Sequence, residues 1–260
     1  MSATLGFNVE FADGIAVLTI DRPKANAIDA ATSYAMGEAF LGFESDPDVR
    51  VVIITGAGDR FFSAGWDLGA AADGEAFDSN YGAGGFGGFP DLPNRTVPVI
   101  AAVNGMAVGG GFEIAMAADL IVAAEHAMFF LPEAGLGILP DGGSVRLPRL
   151  LPPHIAREVT LAGRRLTAAE GALYGLINRV VPHAELLSAA RELAARVVAN
   201  APLSVAAILD IERRTAAMDP TDAMAAIKSF ASYRRAIDSH DALEGNASFA
   251  EKRPPVWTGR

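Results

Sequence analysis

Val97-Pro-Val-Ile-Ala-Ala-Val-Asn-Gly-Met-Ala-Val-Gly-Gly-Gly-Phe-Glu113 is the stretch that decides how this chain folds. Its first half is a buried strand, Val97–Val103, ending at Asn104-Gly105. Three glycines then let the backbone approach a ligand closely. They open a helix at about 111–118, where unpaired N–H groups and the helix dipole favour negative charge. The same rhythm recurs upstream: Val49-Arg-Val-Val-Ile-Ile-Thr55 ends at Gly56-Ala-Gly58, and Phe61-Phe-Ser-Ala-Gly65-Trp66-Asp67-Leu68 feeds a helix at about 66–72.

Outward from this centre, residues 7–20 alternate around Asp13-Gly14 and predict a hairpin. A helix is expected over 29–44 with Asp29 as N-cap. Leu120–Ala123 and Met128–Leu131 read as further strands. From about 165 the chain turns helical, opening on the capping box Thr167-Ala-Ala-Glu170, with amphipathic stretches near 185–199, 202–217, 221–237 and 241–251. The fold class is α/β with several strands per helix, unlike the regular alternation of a doubly wound sheet. Residues 69–95, with Asp78-Ser-Asn-Tyr-Gly-Ala-Gly-Gly-Phe-Gly-Gly-Phe89, read as a mobile surface segment.

The 260 residues are 51% hydrophobic with a net charge of −10, which argues for a globular protein and against nucleic-acid or acidic-membrane binding. No cysteine is present, so disulfides and thiol chemistry are excluded. His126, His154, His183 and His240 are scattered without metal-ligand spacing, so no metal is expected. No leader pattern and no apolar run of about 18 residues is visible, and a soluble, cytoplasmic protein is expected. Gly56-Ala-Gly58 lacks the third glycine of a dinucleotide fingerprint, and neither a Walker A segment nor a Gly-x-Ser-x-Gly elbow occurs.

Glu113 and Glu133, twenty positions apart, stand beside glycine-dense turns in the apolar middle of the chain. Burying a carboxylate costs free energy unless it is paired or its pKa shifts, so the two point to acid/base chemistry. The Gly109–Gly111 and Phe61–Leu68 turns can each supply half of an oxyanion hole. Taken singly, a helix-capping Glu113, a surface-turn Glu133 and glycines that only allow tight packing remain open.

Ala25-Asn-Ala-Ile28, Phe62-Ser-Ala-Gly-Trp-Asp-Leu68, Pro98–Gly105, Gly109-Gly-Gly-Phe-Glu113 and Pro132-Glu133 together resemble the motif series of the crotonase (enoyl-CoA hydratase/isomerase) superfamily, over essentially the whole chain. The resemblance implies a crotonase-like spiral of ββα turns over 1–197 and a helical oligomerisation region over 198–260, building homotrimers or homohexamers. It implies Glu113 and Glu133 as the catalytic pair and the Trp66 and Gly110 N–H groups as the oxyanion hole. The substrate is an acyl-CoA thioester and no prosthetic group is implied. Coenzyme A is expected near Lys24, Ala25, Ala64, Asp67 and Leu68, with Phe249 and Lys252 reaching it, from a neighbouring subunit if not from the same one.

A narrower resemblance, to members acting on crotonobetainyl-CoA, is carried by Asp21–Asp29, Phe61–Leu68, Phe249–Arg253 and the ending Pro-Val-Trp-x-Gly-Arg260. It implies reversible hydration of that substrate, whose quaternary ammonium is expected against Trp66, Tyr81, Phe86 and Phe89. The turn Leu139–Ser144 is one residue shorter than the family's Pro-Asp-x-Gly-Gly form. Asp141 adds a third carboxylate, solvated or structural, at a position that carries a catalytic acid in some family isomerases. A broad short-chain enoyl-CoA hydratase, an isomerase using Asp141 and a non-catalytic acyl-CoA-binding homologue are the alternatives.

Overall fold

The computed structural model describes residues 6–260; Met1–Leu5, on which the reading of the N-terminus falls, lie outside the described residues. The hairpin forms as β1 (Phe7–Ala12) and β2 (Ile15–Ile20), closed by Asp13 and Gly14 at φ +53° and +77°. Two left-handed residues give a turn whose twist matches that of the flanking strands. Helix α1 (Ala30–Ser45) starts where the Asp29 carboxylate accepts the Thr32 N–H at 2.8 Å.

Three strand pairs follow. They are β3 (Val51–Gly56) with β4 (Phe61–Ser63), β5 (Val99–Val103) with β6 (Met106–Val108), and β7 (Leu120–Ala124) with β8 (Met128–Phe130). Helix α2 (Leu68–Ala72) follows β4, and α3 (Gly110–Ala117) follows β6. After β8 come a 3-10 turn (Glu133–Leu136), α4 (Asp141–Leu150) and α5 (Pro153–Ala162). The chain continues through β9 (Leu166–Thr167), α6 (Ala168–Leu173) and β10 (Arg179–Val181), then α7 (Leu186–Val198) and α8 (Pro202–Thr215). It ends in α9 (Pro220–Ala226), α10 (Ala231–Ile237) and α11 (His240–Glu251).

The first strand of each pair enters a six-stranded sheet of order β1-β2-β3-β5-β7-β10, and the second enters a four-stranded sheet of order β4-β6-β8-β9. The large sheet is parallel from β2 onward, with Ile54 opposite Ala101 and Ala101 opposite Ile121. Successive turns therefore stack as ββα layers, the spiral the motifs imply. Strand side chains alternate between faces. Leu18, Ile54, Ala101 and Val103 point inward to the cluster holding Phe112 and Phe129. Val17, Ile53, Ile100 and Val122 point outward and are covered by Leu186, Ala190 and Ala194 of α7. Both faces are apolar because both are buried, each large side chain contributing roughly 1.5–3 kcal/mol.

Three expectations need correction. Helical structure resumes at Asp141, well before 165, although Gly142, Gly143 and Pro148 are poor helix formers; Pro148 lies inside α4 and Pro153 sits at the first turn of α5. β10 then returns to the large sheet beside β7, so the region after 165 is not all helix. The later part of the 69–95 segment is not at the surface: Gly87, Gly88 and Phe89 are buried against α1. Ser33 Oγ donates to the Gly85 carbonyl (3.1 Å) and accepts the Gly87 N–H (2.9 Å), and Phe89 is buried with its ring 4.7 Å from that of Phe40. A β-carbon on Gly88 would lie 2.6 Å from the Gly37 nitrogen, so glycine composition here serves close packing on α1.

Candidate active site

The two glycine turns meet. A β-carbon on Gly65 would lie 2.7 Å from the Gly110 nitrogen and 2.8 Å from the Val108 carbonyl, so only hydrogen fits between them. Gly65 has φ +78° and Gly109 φ +54°. Ile28 bridges to Trp66 through the flanking groups: its N–H donates to the Gly65 carbonyl (2.8 Å) and its carbonyl accepts the Asp67 N–H (3.0 Å). Alternation along the strand turns the Trp66 N–H to the opposite side. The Gly110 N–H belongs to the first helical turn, where the ladder supplies no acceptor. Both residues line one cleft of about 780 Å³.

Polar residues that the sequence reading missed hold these turns. Asn26, at φ +52°, donates to the Ala57 (3.0 Å) and Phe61 (2.9 Å) carbonyls. Ser63 Oγ donates to the Asn26 carbonyl (2.7 Å) and accepts the Gly65 N–H (3.0 Å). Glu75 accepts the Trp66 indole N–H (2.7 Å) and the Ala30 N–H at the start of α1 (3.0 Å). Asn26 and Ser63 leave one trace in the sequence: each is a small polar residue amid apolar and glycine-rich neighbours, where a buried polar group must find a partner.

Glu113 sits in the first turn of α3, and its Oε1 accepts the Gly143 N–H at 2.7 Å. The shortened turn after Pro140 is thus the start of α4, and it delivers an amide to this carboxyl. Burial pushes the Glu113 pKa up from 4.5 to about 7; the Gly143 N–H and Arg146 oppose the rise, while Asp141 and Glu133 add to it. Glu133 opens the 3-10 turn, is 6% exposed, and its Oε2 has no hydrogen-bond partner among the described residues. Burial raises its pKa as well, with Asp141 adding to the rise against the pull of its own N–H. Both carboxyls line the cleft. Two cleft carboxyls that burial makes harder to ionise than an ordinary carboxylate, Glu113 to about 7, can hold and exchange protons as an acid/base pair.

This arrangement stores instability. The folded pKa of Glu113 lies above its unfolded value, so its contribution to stability is intact below about pH 4.5 and is lost as pH rises through about 7. Glu113→Gln keeps an acceptor for Gly143 and removes the charge. At pH 8 it is expected to stabilise the protein by roughly 2 kcal/mol, discounted for partial exposure, with no gain near pH 4. Thermal melts at the two pH values check this.

Among the expected coenzyme A residues, Ala64, Asp67 and Leu68 line the cleft, and Leu68 is 59% exposed at its mouth. Ala25 lies behind, its carbonyl accepting the Ala64 N–H at 2.9 Å, and Lys24 is exposed outside the lining. Phe249, 87% exposed, and Lys252, the C-cap of α11, do not line it either. Among the described residues no group of three or more His, Asp or Glu side chains is arranged to hold a metal, and no single helix is long and apolar enough to cross a membrane.

Of the expected aromatics, Trp66, Tyr81 and Phe86 line the cleft, Tyr81 and Phe86 meeting edge to face at 5.3 Å. Phe89 does not: it belongs to the core against Phe40, and its placement in the pocket is corrected. Phe89 packs on the α1 side, its ring 4.7 Å from that of Phe40. Asp141 does face the cleft, together with Arg146 of the same helix.

Residues 10–260 match the family model described as enoyl-CoA hydratase/isomerase. The chain is 57% identical over 246 residues, 94% of each chain, to the carnitinyl-CoA dehydratase of Salmonella enteritidis PT4. The enoyl-CoA hydratase structure from Mycobacterium tuberculosis H37Rv superposes with a TM-score of 0.91 at 39% identity, covering 99% of this chain and 100% of that one. That from Bacillus anthracis gives 0.89 at 31% identity, covering 98% and 100%.

Proposed function

This chain belongs to the enoyl-CoA hydratase/isomerase family, and within it we propose that it reversibly hydrates crotonobetainyl-CoA to carnitinyl-CoA through Glu113 and Glu133. The observation carrying the reaction type is the pair of cleft-lining carboxyls with raised pKa, set beside two free amides. The substrate is supported by the 57% identity to carnitinyl-CoA dehydratase.

The thioester oxygen accepts the Trp66 and Gly110 N–H groups, which draws electron density from the β-carbon. Ionised Glu113 takes a proton from water as the water oxygen bonds to C3. The C2=C3 electrons move to the thioester oxygen as an enolate, held by the two amides at a typical worth of about 3–4 kcal/mol each. Protonated Glu133 then gives its proton to C2 and the thioester carbonyl re-forms. Water adds as hydroxyl on C3 and hydrogen on C2, and passage of the proton from Glu113 back to Glu133 resets the pair. Dehydration runs the same steps in reverse.

The decisive assay follows loss of the conjugated enoyl-thioester absorbance with crotonobetainyl-CoA and crotonyl-CoA. Hydration of neither, or migration of the double bond in place of water addition, would overturn the proposal. The hydration kcat/KM should pass through a maximum with pH, its acid limb set by ionisation of Glu113 near 7 and its alkaline limb by loss of the Glu133 proton. An acid limb that persists unchanged in Glu113→Gln would remove Glu113 from the chemistry. A trimer or hexamer built through the C-terminal helices is supported by exposed Ile237, Leu243 and Phe249.

A further inference from the structure

We infer that Asp141 is the specificity-determining carboxylate of this cleft, seating the quaternary ammonium of the substrate against the rings of Tyr81 and Phe86. The inference rests on the proposed crotonobetainyl-CoA reading and adds the group that recognises its charge.

Two rows of contacts lead from the reaction centre to this place. On one wall, a β-carbon on Gly110 would lie 2.5 Å from Phe86 Cε1, so the Phe86 ring edge abuts the proposed oxyanion amide, and Tyr81 stands next at 5.3 Å. On the other, Gly143 N–H binds Glu113, and a β-carbon on Gly142 would lie 3.3 Å from Glu113 Cδ. Asp141 is the next residue along that wall. In crotonobetainyl-CoA the nitrogen is two bonds from C3, the carbon that takes the hydroxyl. A cation held that close to the glutamates has room between these walls, where the charge of Asp141 reaches Tyr81.

Charge balance singles out Asp141. Of the other aspartates in the cleft, Asp67 pairs with Arg22 (3.3 Å) and Asp91 with Arg146 (3.2 Å). Arg146, the cation of the lining, is further held by the Pro90 carbonyl at 2.6 Å. Asp141 has no ion pair or side-chain hydrogen bond among the described residues. Its charge is felt at Glu113, Glu133 and Tyr81, whose hydroxyl burial, Glu75, Asp141 and Asp78 together push up to about 12. A quaternary ammonium has no N–H to donate, so it is recognised only by opposite charge and ring faces, the two features this end combines. Independently, Glu133, which lines the same cleft, has a buried Oε2 with no hydrogen-bond partner among the described residues.

The test compares crotonobetainyl-CoA with its uncharged isostere 5,5-dimethylhex-2-enoyl-CoA, in which carbon replaces nitrogen. The wild type should prefer the charged substrate by about fivefold in kcat/KM, the scale of an ion pair at a solvent-exposed carboxylate. Asp141→Asn should remove most of that preference, and the ratio cancels any general effect on the glutamates. A preference unchanged in Asp141→Asn would overturn the role of Asp141 and leave the substrate reading intact. A wild type that hydrates crotonyl-CoA but not crotonobetainyl-CoA would overturn both.

Discussion

Glu133→Gln is expected to lower the hydration kcat by about a thousandfold while leaving the fold in place. The amide matches the carboxyl in shape and keeps the buried position, but it has no proton to give to C2. The partner variant separates the roles. In heavy water, Glu113→Gln should still exchange the C2 hydrogens of butyryl-CoA, which need only the Glu133 carboxyl and the oxyanion hole. Glu133→Gln should not. Glu133→Gln activity within tenfold of the wild type would remove Glu133 from the chemistry, and exchange lost only in Glu113→Gln would exchange the two assignments.

Gly65→Ala should cost at least a hundredfold in kcat/KM, because the new methyl would press on the Gly110 nitrogen and the Val108 carbonyl. The proposed amide pair can then no longer converge on one oxygen. The left-handed backbone at φ +78° adds about 1–2 kcal/mol of strain. Gly58→Ala separates the two effects: its φ is +80°, and a β-carbon there meets nothing within 4 Å. It should share the loss in Tm and keep the activity. Equal activity losses in both variants would mean that strain, and not the shape of the hole, is responsible.

The glycine turns and strands were legible because each depends on local chemistry. Asp13-Gly14, the Asp29 cap and the Thr167–Glu170 capping box formed where their side chains required. Helices α4 and α5 were not legible, since Gly142-Gly143 and the prolines are poor helix formers on their own. Packing decided there: Leu147 and Val159 are fully buried, and Gly143 is held by Glu113. The 69–95 segment failed for the same reason in reverse. Its glycines look flexible in isolation but are what lets it dock on α1.

By itself the sequence determined that two carboxylates would stand beside backbone turns able to offer free amides. Each of those features is written within a few residues of itself. Only the tertiary structure decided which groups share the cleft: Trp66 beside Gly110, the Gly143 amide on Glu113, Asp141 facing inward and Phe89 facing away. These pairings span tens of residues, and a raised pKa follows from the combined burial and field of all the neighbours. Local pattern carries the groups, while the close packing of successive ββα layers sets which of them meet.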